Sequence, residues 1–128
     1  MKDAFDAVTE FHRAYGQEIP DAPRLLDPVT QDLRYALIKE EFDEYVAACE
    51  QGDMVGIADA LADLAYVVLG AAVAHGIRRF PEIFAEIHRS NMSKLGPDGK
   101  PIRRADGKVL KGPNYSPPQI ATFLAPDQ

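Results

Sequence analysis

Apolar residues recur at helical spacing along most of this chain, and the places where polar residues interrupt the pattern carry its chemistry. Phe5, Val8, Phe11 and Tyr15 form one stripe, which predicts a helix over 3–15 stopped by Gly16. Residues 19–28 contain Pro20, Pro23 and Pro28 and read as a loop. Leu33, Leu37, Ile38, Phe42, Tyr45 and Cys49 then mark the inner arc of a second helix, capped by Thr30 and running to about Glu50. Gln51-Gly52-Asp53 reads as a tight turn, with Asp53 as N-cap of a third helix from Met54 to about His75, where Gly76 stops it. Pro81 opens a fourth helix that buries Phe80, Ile83, Phe84 and Ile87 and closes at His88 and Asn91. Beyond it, GPDG and ADG turns flank PIRR and KVLKG, a pattern for a small two-stranded hairpin. The proline-rich end is expected to run extended along the surface, docked by Tyr115, Ile120, Phe123 and Leu124.

The expected fold is therefore all-α. About four helices per chain form a single domain over 1–128, with a helical core over about 2–91 and a basic extended or hairpin tail over about 92–128. The third helix is apolar nearly all round except for the strip Asp59, Asp63 and Tyr66. One short hairpin cannot cover such a helix, so a homodimer with a shared bundle core is expected, and Gly70 would admit a close partner helix. Whether dimers pair into tetramers is not legible. The same helix raises the question of a membrane span, which its Asp59, Asp63 and His75 argue against.

Two carboxylates break the second helix's pattern. At about 100° per residue, Glu41 and Glu44 fall inside its apolar arc and Glu40 lies at the edge, while Lys39 and Asp43 face away. Unpaired carboxylates buried in a core are costly and call for a compensating cation. Folding the second and third helices back on each other places Glu44 level with Asp59 and Glu41 level with Asp63, and Asp59 and Asp63 share a face. Hard oxygen ligands converging without a nearby basic side chain fit a divalent metal, Mg²⁺ or Mn²⁺. A solvated acidic face is the competing reading; the position of the acids within the apolar arc disfavours it.

These residues carry a family resemblance. Glu40 to Glu44, EEFDE, fits the EExxE motif of the MazG-like all-α nucleoside triphosphate pyrophosphohydrolases. That superfamily includes dimeric dUTPases and phosphoribosyl-ATP pyrophosphohydrolases. Its second motif, ExxD, is matched at Asp63, but the Glu position is Ala60; Asp59 is the substitute ligand this sequence offers. The tail HRSNMSK with GKVLKGPNY also looks like the MazG-like branch, and the resemblance spans roughly Leu33 to Tyr115. It implies hydrolysis of a nucleoside triphosphate between the α- and β-phosphates, with Glu41, Glu44, Asp63 and Asp59 as metal ligands. Glu40, or Glu41 beside it, would then act on the attacking water. The runner-up within this chemistry is phosphoribosyl-ATP hydrolysis. A non-catalytic helical dimer that binds nucleotide or a partner protein is the alternative of a different class, favoured by Ala60.

Charge refines the picture. The net charge of −6 argues against a general nucleic-acid binder. Its distribution is uneven: Arg89, Lys94, Lys100, Arg103, Arg104, Lys108 and Lys111, opposed by Asp98 and Asp106, give that segment a net +5. A basic tail beside an acidic metal site suits a polyanionic substrate. Lys94 and Lys111, with Arg89, are candidates for holding phosphates, and the resemblance adds Asn91 and Tyr115 for base or sugar. Arg34, two turns before Glu41, could meet a phosphate or form a structural ion pair, and Arg24 is a further loop candidate. His12, His75 and His88 sit apart on different segments and read as packing or surface residues. Cys49 falls in the apolar arc and is expected as a buried thiol. No leader is visible, and a cytoplasmic location is the simplest expectation.

Overall fold

The structure, a computed structural model, describes residues 1–125. Four helices account for most of them: α1 (Lys2–Ala14), α2 (Pro28–Gln51), α3 (Met54–Ala74) and α4 (Phe80–Met92). A two-stranded ladder, β1 (Ile102–Arg103) and β2 (Val109–Leu110), and a 3₁₀ turn over Ala121–Leu124 complete the order. The class is all-α. Two compact units divide the chain, Met1–Arg78 and Arg79–Gln128, so α4 belongs with the basic tail and α1–α3 stand as their own bundle.

In the first unit, α2 and α3 form an αα-hairpin. Gly52 adopts φ 65°, the left-handed conformation that ends a helix, and its N–H bonds the carbonyls of Ala48 and Cys49. Asp53 then accepts the N–H of Gly56 at 3.0 Å and starts α3. The start of α2 differs from expectation. Asp27, not Thr30, is the cap: its carboxylate takes the Thr30 N–H at 3.0 Å and the Thr30 hydroxyl at 2.6 Å, with Pro28 in the first turn. Thr30 had the side chain of a cap, but Asp27 combines one with a following proline, which cannot sit deeper in a helix.

α1 packs on the C-terminal half of α3, with the Phe11 ring edge-on to Tyr66 at 5.7 Å. Phe5 and Val8 are buried there, together with Leu69, Ala72, Val73 and Ala74. Phe11 and Tyr15, expected inward, are exposed, and His12 is buried in their place. The stripe through Phe5, Val8 and His12 keeps the i, i+3, i+7 spacing, so the buried face follows His12. The loop after α1 is tied to the end of α3: Arg24 N–H donates to the His75 carbonyl at 2.8 Å, and His75 Nδ1 lies 2.9 Å from the Arg24 carbonyl.

α2 buries only Arg34 and Ala48 within the chain. Cys49 is exposed, because the neighbouring Ala48 takes the face toward α3. Leu33, Tyr35, Phe42 and Val46 of α2 and Leu61, Tyr66 and Val68 of α3 also remain exposed. Among the described residues α3 is the one helix long and apolar enough to cross a membrane, and a third of its most apolar stretch is buried inside the chain.

In the second unit, β1 and β2 pair antiparallel, Ile102 opposite Leu110 and Arg103 opposite Val109. The turn between them closes through Asp106, which accepts the Lys108 N–H and pairs with Arg104. On α4, Phe84 and Ile87 are exposed, contrary to expectation, while Ser90 is buried. Glu86, which reads as a surface acid in the sequence, has a side chain only 12% exposed. It holds Arg89 at 2.6 Å and accepts the Gln119 N–H at 2.7 Å, so it anchors the returning tail to α4. The tail forms a 3₁₀ turn over Ala121–Leu124, with Phe123 under the Arg79 guanidinium at 4.9 Å.

Candidate metal and substrate site

The hairpin register brings Glu41 and Glu44 of α2 to Asp63 of α3, and one carboxylate oxygen from each lies within 4.8 Å of the others. Glu44 and Asp63 are exposed and Glu41 is half-buried. The Oε2 atom of Glu41 is enclosed without a hydrogen-bond partner. Its carboxyl is pushed up to about 7, first by desolvation, then by a hydrogen bond to Glu44 and repulsion from Glu44, Asp63 and Glu40. The nearby Lys39 faces away and is bound to Asp43 at 2.5 Å, so it does not neutralise the group. Hard oxygens, one of them buried and orphaned, fit a divalent cation better than any other partner in this neighbourhood.

Asp59 stays outside the group and is exposed. The reason is directional. Helical side chains tilt toward the helix N-terminus, so in an antiparallel hairpin the Glu44 head leans away from the turn and the Asp59 head leans toward it. The same tilts bring Glu44 and Asp63 together. Ala60, the position of the Glu in the resembled motif, is 2% exposed and packed within the hairpin. Glu40 is exposed and, with Lys39, Asp43 and Glu44, borders a shallow groove on the outer side of α2.

Arg34 is buried two turns before Glu41, and His12 of α1, which reads in the sequence as a packing or surface residue, is buried too. Arg34 Nη2 donates to Gln17 Oε1 at 3.3 Å, and no carboxylate bridges it among the described residues. Arg24, by contrast, pairs with Glu18 at 2.7 Å.

The remaining candidates lie in the second unit. Gly112 N–H donates to the Lys94 carbonyl at 2.9 Å, and a Cβ at 112 would come within 2.6 Å of the Leu95 carbonyl oxygen, so glycine alone permits this approach. The contact joins the Asn91–Lys94 turn to the Lys111–Tyr115 segment. Lys111 Nζ sits 4.9 Å above the Tyr115 ring. Asn91 is exposed and Lys94 and Tyr115 are half-buried. Arg89 is committed to Glu86 and the Pro117 carbonyl, which removes it from the free basic set.

A structure from Exiguobacterium sp. 255-15, described as a candidate NTP pyrophosphohydrolase, aligns with a TM-score of 0.51 at 25% identity, covering 94% of this chain and 92% of that one. An uncharacterised protein of Acanthamoeba polyphaga mimivirus, L479, is 38% identical over 77 residues. That match takes in 57% of this chain and 31% of the viral protein, so the chain spans about a third of its relative. The model of the phosphoribosyl-ATP pyrophosphohydrolase family matches residues 8–91, which hold α2, α3 and the acidic group. The chain belongs to this family, within the MazG-like all-α NTP pyrophosphohydrolase superfamily.

Proposed function

We propose that the chain is a divalent-metal-dependent nucleoside triphosphate pyrophosphohydrolase that releases a nucleoside monophosphate and pyrophosphate. The observation that carries this reading is the convergence of Glu41, Glu44 and Asp63, with a buried Glu41 oxygen lacking any partner, in a chain of a pyrophosphohydrolase family. Glu41, Glu44 and Asp63 would hold Mg²⁺ or Mn²⁺, and Asp59 is available one turn away. Such an ion supplies charge neutralisation at the phosphates and lowers the pKa of a bound water. Glu40 is exposed beside the ligands, so its carboxylate can take the proton as the water attacks. Lys94 and Lys111 are assigned to substrate phosphates, and Asn91 and Tyr115 to base or sugar. A cytoplasmic role in clearing the nucleotide pool fits this chemistry.

The exposed apolar side chains of α2 and α3 support a homodimer, because a single chain leaves Leu33, Phe42, Leu61 and Val68 in water. The family match also favours a second reading, hydrolysis of phosphoribosyl-ATP by the same carboxylates. Pyrophosphate release should be measured over NTPs, dNTPs and phosphoribosyl-ATP with Mg²⁺ or Mn²⁺. Turnover that disappears in a folded Glu41→Gln variant supports the enzyme. Metal binding without turnover on any of these substrates would leave a nucleotide- or partner-binding module instead.

A further inference from the structure

The first unit contains a cavity of about 470 Å³ between α1, the 17–27 loop and the start of α2. That is the size of a small-ligand pocket. Leu25, Leu26 and Leu33 give it apolar walls, and Arg34, His12 and Gln17 give it polar ones. Arg34 is 8% exposed and His12 is 3% exposed, so both are more than nine-tenths buried. Neither is fully satisfied: Arg34 Nε and His12 Nδ1 have no hydrogen-bond partner among the described residues. The acids of the wall are already engaged, Glu18 with Arg24 and Asp27 with Thr30. A buried guanidinium held by one long bond to Gln17 is a set of donors awaiting acceptors.

We infer that this cavity is the nucleoside subsite and that Arg34, with His12, selects bases whose edge presents a carbonyl oxygen over those presenting an amino group. The inference rests on the pyrophosphohydrolase reading for its substrate class. Guanidinium donates and never accepts, so it pairs with the oxo edge of uracil or hypoxanthine and opposes the amino edge of cytosine or adenine. Burial and then the Arg34 charge push His12 below its ordinary value, which favours the neutral ring, and a neutral ring has a lone pair for a base N–H. The leucine walls suit a flat ring and leave a bare inorganic anion without contacts on most sides. Arg34 precedes Glu41 by seven residues, roughly 10 Å of helix axis, a span that a sugar and its first phosphate can bridge.

The test is calorimetric binding of monophosphates to the metal-free full chain, using IMP against AMP and UMP against CMP. Each pair differs by an oxo-for-amino exchange and by the ring N–H that accompanies the oxo form. The wild-type chain should bind the oxo member about tenfold or more tightly. Arg34→Met, close in volume but without donors, should bring the two members within about twofold of each other, whereas Arg34→Lys, still a donor without an acceptor, should keep the preference at lower affinity. Equal affinities in the wild type, or a preference surviving in the folded Arg34→Met variant, would overturn the inference. So would inorganic phosphate competing as well as the nucleotides do. Triphosphate turnover is scored separately: selective binding without pyrophosphate release sinks the hydrolase reading alone, and turnover without selectivity sinks this inference alone.

Discussion

Glu41 on α2 and Asp63 on α3 offer carboxylate oxygens within 4.8 Å of each other, with Glu44 in the same group, and among the described residues no basic side chain pairs with them. Glu41 is the member that answers to pH. Its folded-state value of about 7 lies above the ordinary carboxylate value of 4.5. Between those values the folded chain holds more protons than the unfolded one, so the Glu41 contribution to metal-free stability is fully present below about pH 4.5 and is lost as pH rises through 7. Mg²⁺ or Mn²⁺ should restore stability in the upper part of that range. Metal binding at pH 6 should also release close to one proton, which calorimetry in buffers of different ionisation enthalpy reads directly. In Glu41→Gln, proton release should vanish and affinity should drop at least tenfold.

Ala60 stands where the resembled motif has a glutamate, and it is packed tightly enough that the exchange is not a simple loss of a ligand. Returning Glu at this position should destabilise the metal-free chain by about 1–3 kcal/mol through overpacking and carboxylate repulsion. Saturating Mn²⁺ should recover part of that cost if the new carboxylate reaches the ion. Urea unfolding with and without metal measures both. An Ala60→Glu chain as stable as the parent without metal would show that the hairpin has more room than its packing indicates.

The acidic convergence was legible because helix periodicity and a two-residue turn fix which positions of a hairpin lie level. The exclusion of Asp59 was not, because it depends on the tilt of side chains along each helix and not on register. Burial was legible where a stripe faces a neighbour within the same chain, as at Phe5 and Val8. It failed at Cys49, Phe42 and Phe84, where an apolar residue lies on a face that this chain leaves uncovered. Glu86 was missed for a different reason: its partner is a backbone N–H 33 residues away, and no local pattern announces that.

Glu86 lies well below the ordinary carboxylate range, at about 2, held first by the Arg89 guanidinium and then by the Gln119 N–H. A depressed folded value contributes stability that is present above pH 4.5 and lost as pH falls toward 2. The tail should therefore detach from α4 before the helices melt in acid. Glu86→Gln should detach it at neutral pH. Amide exchange near Gln119 should rise several-fold in that variant, while exchange in α3 stays at the parent rate. Equal protection of Gln119 in parent and variant would mean that the other ties, Phe123 with Arg79 and Ser116 with Ser93, hold the tail without Glu86.

Gly70 lies within α3 at the point where α3 meets Arg34 and His12. A Cβ there would come within 2.9 Å of Arg34 Nη1 and 3.2 Å of His12 Nε2. In an unobstructed helix, Gly→Ala stabilises by about 1 kcal/mol through reduced chain entropy in the unfolded state. At this site the gain is opposed, because the methyl group must push aside a buried guanidinium that has few places to go. Gly70→Ala should therefore leave thermal stability unchanged or lower it by about 1 kcal/mol. It should also weaken monophosphate binding several-fold, since Arg34 is moved without being removed. Differential scanning calorimetry and the binding titration check the two halves independently. A full gain in stability with parental affinity would mean that Arg34 swings clear freely, and that its position against Gly70 is incidental to the cavity.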